Sequence, residues 1–153
     1  MADREYRTGE FFRNQKKYSD AISCYQAAGK IFPEHSLALE KMAYCLIEVK
    51  DFAGAEKIVQ RGLQVSQNSA EKHFLLGKIS AEKNDFENAQ KEYEAALNLE
   101  KNNPNYGYDL AVFLHKIGKL DQSKKILEKL LENYPENPIF MNYLKIVSED
   151  LKR

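Results

Sequence analysis

Two series of small residues return at a fixed step of 34 along this 153-residue chain. Gly9, Ala43, Gly77 and Ala111 form one; Ala21, Ala55, Ala89 and Ser123 form the other. Tyr18, Phe52, Phe86 and Leu120 keep the same step. Ala, Gly and Ser supply roughly one residue in five, so eight small residues at eight chosen places have chance odds on the order of one in a million. A period of this length restricts the chain to stacked copies of one supersecondary unit.

Each unit holds two stretches of roughly a dozen residues with apolar positions three and four apart, the spacing of a helix face. In the third unit Phe74, Leu75, Leu76 and Ile79 lie on the first stretch, and Phe86, Ala89, Tyr93, Ala96 and Leu97 on the second. Short turns, "NQKKYSD", "VKDF", "KNDF" and "IGKL", separate the stretches. A small residue on each helix lets the two backbones approach closely. Bulky neighbours such as Phe12 and Tyr25, or Leu114 and Leu127, fill the space around that contact. One helix pair cannot bury its apolar face alone, so the pairs stack. The expected domain is single, with repeats at about 2–35, 36–69, 70–103 and 104–137 and a terminal helix over 138–153.

Asn137 is placed to cap that helix and Pro138 suits its first turn. Ile139, Phe140, Tyr143, Leu144, Ile146, Val147 and Leu151 give it a wide apolar face. At the other end, Phe11 stands beside Phe12; adjacent helical side chains point about 100° apart, so both cannot face one partner helix. These ends either fit local packing or contact another copy or a further part of the protein.

The pattern resembles the tetratricopeptide repeat. Gly9, Phe12, Ala21, Tyr25, Ala28 and Pro33 match its marked places in the first unit, and Met42, Ala43, Leu46 and Ala55 in the second. Leu76, Gly77, Ala89, Tyr93 and Ala96 do so in the third, and Leu110, Ala111, Leu114, Ser123, Leu127 and Pro135 in the fourth. The resemblance implies an all-α, right-handed superhelical solenoid of antiparallel helix pairs. Departures exist: no Trp marks the first helices, Gly62 replaces an Ala, and Gln67 and Lys101 replace closing prolines. Gly107 invites two readings, a helix starting late after Pro104 or a backbone left bare for a partner.

Chemistry that would mark an enzyme is not found in the sequence. His35, His73 and His115 sit in three different units with no His or Cys three or four residues on. No GxGxxG or GxxxxGK loop occurs. Cys24 and Cys45 form no CxxC and read as small hydrophobes. No cofactor or metal is expected. With 23 basic and 23 acidic residues the formal net charge is zero, unlike a nucleic-acid binder, which needs a surplus of cations. No apolar run approaches the roughly 20 residues that span a bilayer, and "MADREYRTGEFF" lacks a signal-peptide core. The expected compartment is the cytosol and membrane insertion is not expected.

In proteins similar to this one the first helices line the concave side. That frame points to a peptide-binding groove carrying Tyr6 and Glu10, Lys41 and Tyr44, Phe74 and Lys78, Tyr108 and His115, and Tyr143. Five aromatics then lie along one wall, one per helix, which suits an extended or helical peptide; the plainer alternative is that they pack between neighbouring first helices. Family members that grip acidic heat-shock-protein tails use a clamp of Lys, Asn and Arg. Its places here hold Tyr6, Glu10, Lys41, Glu71 and Leu75, or one unit later Glu40, Tyr44, Leu75, Asn105 and Asp109. Only Lys41 is basic, so no such clamp is expected. The functional expectation is a non-catalytic adaptor or assembly scaffold for a protein or peptide partner. Two alternatives stand beside it: a structural protein that self-assembles into homo-oligomers through its terminal helices, and a chaperone for a secreted or unassembled subunit.

Overall fold

The computed structural model describes residues 1–32, 35–65 and 69–153. Among them the chain forms nine helices and no strand. Helix α1 (Ala2–Asn14) pairs with α2 (Tyr18–Ile31), α3 (Ser36–Glu48) with α4 (Phe52–Val65), α5 (Ala70–Glu82) with α6 (Phe86–Leu99), and α7 (Pro104–Lys116) with α8 (Leu120–Asn133). Helix α9 (Pro138–Asp150) closes the stack against α8. First helices start 34 residues apart, at Ala2, Ser36, Ala70, Pro104 and Pro138, and second helices keep the same step. Each second helix also packs on the next first helix, so the fold is an all-α solenoid of hairpins. Pro33 and Gln67, both noted above, lie outside the described residues.

Backbone chemistry repeats with the period. Each hairpin turns through one residue of positive φ: Lys16 at 58°, Lys50 at 64°, Asn84 at 60° and Gly118 at 79°. The next N–H in each case donates back to the carbonyl of Phe12, Leu46, Ser80 or Leu114, at 2.8–3.0 Å. That bond satisfies a carbonyl the helix end leaves without a partner. A left-handed residue with a Cβ costs about 1–2 kcal/mol, so only Gly118 adopts the turn without strain. First helices open on polar caps at one register: His35 Nδ1, Ser69 Oγ, Asn103 Oδ1 and Asn137 Oδ1 each accept a backbone N–H. Asp85 caps α6 in the same way, accepting from Asn88.

All eight small residues of the two series are buried. Their sizes track what faces them. A Cβ on Gly9 would come within 2.6 Å of the Tyr25 ring, and one on Gly77 within 2.8 Å of the Tyr93 ring. At the matching places of the second and fourth units, Ala43 shares its cluster with Val59, and Ala111 shares its own with Leu127. Glycine thus stands where the second helix presents tyrosine, and alanine where it presents a branched aliphatic. Ser123 is tolerated at a buried Ala position because its hydroxyl donates to the Ala111 carbonyl at 2.7 Å across the hairpin.

Gly107 follows neither reading offered above. It is buried inside α7, which starts in register at Pro104, and a Cβ there would meet Leu130 at 2.9 Å. Leu130 replaces the Ala28, Gly62 or Ala96 of earlier units, and the glycine makes room for it. The same exchange occurs at Gly62, whose open side takes the stem of Lys72 at 3.0 Å. Lys72 is only 1% exposed; its Nζ donates to the Gly62 carbonyl at 2.7 Å and lies 4.0 Å from Glu40.

The size matching is testable by a double-mutant cycle. Gly77→Ala should destabilise the chain by about 1–3 kcal/mol in urea unfolding, through overpacking against Tyr93. Adding Tyr93→Leu should recover part of that loss, giving a coupling of at least about 0.5 kcal/mol. Strict additivity of the two losses would contradict the pairing.

Candidate functional site

The exposed sides of the first helices form one face, and side chains bridge it from helix to helix. At the α1 end, Tyr6 stacks on His35 with ring centroids 5.3 Å apart and tilts against Tyr25 at 5.9 Å. Arg13 grips Glu10 with two bonds, Nε to Oε1 at 3.0 Å and Nη2 to Oε2 at 2.9 Å, and the Tyr25 hydroxyl donates to the same carboxylate. Burial pushes the Glu10 carboxyl up, but the Arg13 and Tyr25 hydrogen bonds and the Lys41 charge together hold it below the usual range. Burial and then the Glu10 carboxylate raise the Tyr25 hydroxyl well above its ordinary value.

The centre is built on Lys78. Its ammonium lies 5.5 Å from the Tyr44 ring centroid, 5.2 Å from that of Phe74, and 3.9 Å from Asp109 Oδ2. This is a cation held between two aromatic rings and one carboxylate. Burial raises the Asp109 carboxyl and Lys78 offsets only part of that rise. A cleft of about 210 Å³ opens beside it between α3 and α5, lined by Glu48, Phe52, Lys78, Glu82 and Tyr93 among others. At the α9 end, Tyr108 meets Tyr143 edge-on at 5.5 Å. His115 is held at both nitrogens, Nδ1 2.8 Å from the Tyr143 hydroxyl and Nε2 2.9 Å from Asp150 Oδ2. That geometry fits an imidazole whose Nε2 donates to Asp150 while Nδ1 accepts from Tyr143.

The structure places Tyr6, Glu10, Lys41, Tyr44, Lys78, Tyr108, His115 and Tyr143 half-buried. They fall into three clusters rather than one even row. Phe74 is a correction. It is 8% exposed and packed between Tyr106, at 4.9 Å, and Tyr93, at 5.7 Å, so it is core and not groove. The α6 and α7 rings take it because Gly77, one turn on, draws α6 close. Three contributors were not anticipated: the Arg13 clamp, the Tyr106 hydroxyl donating to Glu71 at 2.9 Å, and buried Lys72. Glu71 and Leu75, two of the clamp places, are thereby occupied: Glu71 accepts from Tyr106, and Leu75 is fully buried.

Other candidate chemistry resolves into packing. His73 Nδ1 lies 2.7 Å from Glu92, joining α5 to α6. Cys45 is buried, which pushes its thiol up to about 11, and both cysteines are free. Among the described residues no group of three or more His, Cys, Asp or Glu could hold a metal ion, and no helix is long and apolar enough to cross a membrane.

A solenoid of helical hairpins with a side-chain-bridged first-helix face defines the class. The sequence matches the family model described as the tetratricopeptide repeat protein 21 C-terminal ARM domain over residues 39–143, and the tetratricopeptide repeat model over 5–35. The chain belongs to the tetratricopeptide repeat family, whose members generally mediate protein–protein interactions. It is 26% identical over 119 residues to the E3 ubiquitin-protein ligase CHIP of Arabidopsis thaliana, covering 78% of this chain and 43% of that protein. It is 29% identical over 111 residues to the BBSome complex member BBS4 of Bos taurus, covering 72% of this chain and 21% of that protein. The chain therefore spans less than half the length of either relative. A crystal structure of MamA protein superposes with a TM-score of 0.74 at 18% identity, covering 97% of this chain and 81% of that one. The first TPR domain of human RPAP3 gives 0.71 at 24%, covering 78% and 94%. At those identities the likeness speaks to the fold alone.

Glu10 and Asp109 should respond to acid with opposite sign. Glu10 has a lowered folded value, so its ionised form adds stability above the unfolded value, and this is lost as pH falls. Asp109 has a raised folded value, so ionising it removes stability as pH rises through the ordinary aspartate range. Measured against the wild type, Glu10→Gln should grow more destabilising as pH rises from about 3 to 6. Asp109→Asn should become relatively less destabilising, or stabilising, over the same window. Thermal unfolding of the three proteins at several pH values checks both, and parallel curves would contradict the assignments.

Proposed function

We propose that this chain is a non-catalytic interaction module that binds an extended or helical segment of a partner protein along its first-helix face. The curvature of stacked hairpins makes that face the inner wall. The observation that supports the reading most directly is the central cluster. Tyr44, Lys78 and Asp109 come from three successive first helices, and each remains partly open to solvent while fixed by the others. A surface held in this way loses little side-chain freedom when a ligand arrives. Aromatic rings supply contact area, and a neutralised charge pair supplies hydrogen bonds without net attraction for one sign of charge.

The flanking clusters extend the same surface. Tyr6 and the Glu10–Arg13 pair lie at one end, and Tyr108, Tyr143 and His115 at the other. A partner lying across all three would cross five helices and read aromatic faces at intervals. The absence of a basic clamp removes acidic C-terminal tails from the preferred ligands. The presence of both charge signs favours a segment that is itself mixed, with apolar side chains to set against the rings.

The test uses two half-buried rings of this face. Tyr44→Ala with Tyr108→Ala should leave thermal stability within a few degrees of the wild type. Affinity for a partner recovered from the native source and identified by mass spectrometry should fall by about tenfold or more. An unchanged affinity with a folded double variant would overturn the inner-wall reading.

A further inference from the structure

A cleft of about 300 Å³ opens between the ends of α6 and α8, on the side of the second helices. Leu97, Ile126 and Leu130 give it an apolar floor, with the Gly107 backbone beside them. The cleft follows from an exchange at one register. In the preceding hairpin His73 of α5 meets Glu92 of α6 at 2.7 Å. One 34-residue step on, that polar pair becomes Gly107 and Ile126. Leu130 takes part of the room and the rest stays open. The rim is fixed. The Tyr134 hydroxyl donates to the Asn102 carbonyl at 3.1 Å, which ties the turn after α6 to the end of α8. Within that turn Asn103 Nδ2 donates to Glu100 at 2.8 Å.

We propose that this cleft is a second docking site, separate from the first-helix face, and that it takes a short acidic segment of a partner protein that seats one large apolar side chain. Charge supports the acidic flanks. Lys101 and Lys129 line the cleft and are exposed, and among the described residues no carboxylate lines it. Ion pairs among the described residues engage Lys72, Lys78, Lys83 and Lys124, but neither of these two. The nearest carboxylates on α6 and α8 are engaged elsewhere: Glu94 accepts from Gln90, Glu100 from Asn103, and Glu128 pairs with Lys124. Glu132 and Glu136 are exposed and lie outside the lining. An incoming carboxylate therefore meets two ammoniums, with the Asn98 and Asn102 amides as further donors. Exposure points to a segment rather than a small molecule. A small-ligand site aims precisely placed polar groups at a largely buried ligand, whereas every polar side chain lining this cleft is exposed. Such a place seats one apolar group on its floor and meets the flanking charges at the surface, as a side chain on a passing backbone requires.

The experiment titrates the isotopically labelled whole chain with the end-blocked peptide Glu-Asp-Phe-Asp-Glu and reads backbone amide shifts by NMR, which also report whether each variant is folded. Saturable shifts are expected at Asn98, Lys101, Asn102, Gly107 and Asn133. Lys101→Glu with Lys129→Glu should weaken binding by about tenfold or more. Lys57→Glu with Lys145→Glu makes the same change in net charge at exposed lysines away from the cleft and should leave binding within about twofold of the wild type. Exchanging the peptide's phenylalanine for serine should cost about tenfold, the loss of one buried ring. Four results would overturn the proposal. They are no saturable shifts at the cleft, equal weakening by the two double variants, equal affinity for the serine peptide, or binding of sodium octanoate in the cleft at least as tight as that of the peptide. The second and third would mean attraction of charge without a seat, and the fourth that the occupant is a small amphipathic anion.

Discussion

The structure depends on how closely two helix backbones approach within each hairpin. That distance is set by a pair of side chains, one small and one large, and the chain solves it in two ways. Gly9 and Gly77 let a tyrosine ring come directly against the first helix. Ala43 and Ala111 sit at the same register with a branched aliphatic residue in the tyrosine's place. Summed volume at the crossing is thus kept roughly constant while its parts vary. A close-packed interior tolerates volume-conserving exchange far better than net gain or loss. Everything outside the crossing, including which side chains reach the first-helix face, follows from holding that approach.

Much of this was legible in the primary structure because a crossing demands small size, and size is readable at a single position. The period, the small-residue series and the Asn137 cap needed no tertiary knowledge. The fate of Phe74 was not legible. It sits on the first-helix register that is half-open in Tyr6 and Tyr108, yet Tyr106 and Tyr93 close over it. Whether an aromatic at that register is covered depends on its neighbours two helices away, which no local pattern reports. Gly107 carried a usable signal that was read in the wrong sense, and Gly62 was noted only as a departure from the pattern. An unexpected glycine in a helix marks space, and the occupant was a side chain of this chain in both places, Lys72 and Leu130.

The polar groups of the first-helix face show a second regularity. Four carboxylates there are held by a hydroxyl, a cation or an imidazole N–H from another turn or another helix. Glu10 has Arg13 and Tyr25, Glu71 has Tyr106, Asp109 has Lys78, and Asp150 has His115. Half-exposed pairs of this kind add little to stability. Their physical consequence is order: each group is already oriented and partly desolvated, so a ligand does not have to arrange it. A chain with no net charge has little long-range steering, and recognition on such a face rests on shape, rings and pre-placed hydrogen bonds.

The two ends of the stack are chemically unlike, and the difference follows from the same crossing rule. Four steps after Gly9 the small-residue series arrives at Lys145, which is exposed on α9. A helix crossing α9 as α8 crosses α7 would have to bury that ammonium without an evident partner, at a cost of several kcal/mol. At the other end, Phe11 of α1 is exposed at the register that Cys45, Ile79, Phe113 and Val147 bury in later units. Both ends expose apolar side chains, Phe11 at one and Ile139 and Ile146 at the other.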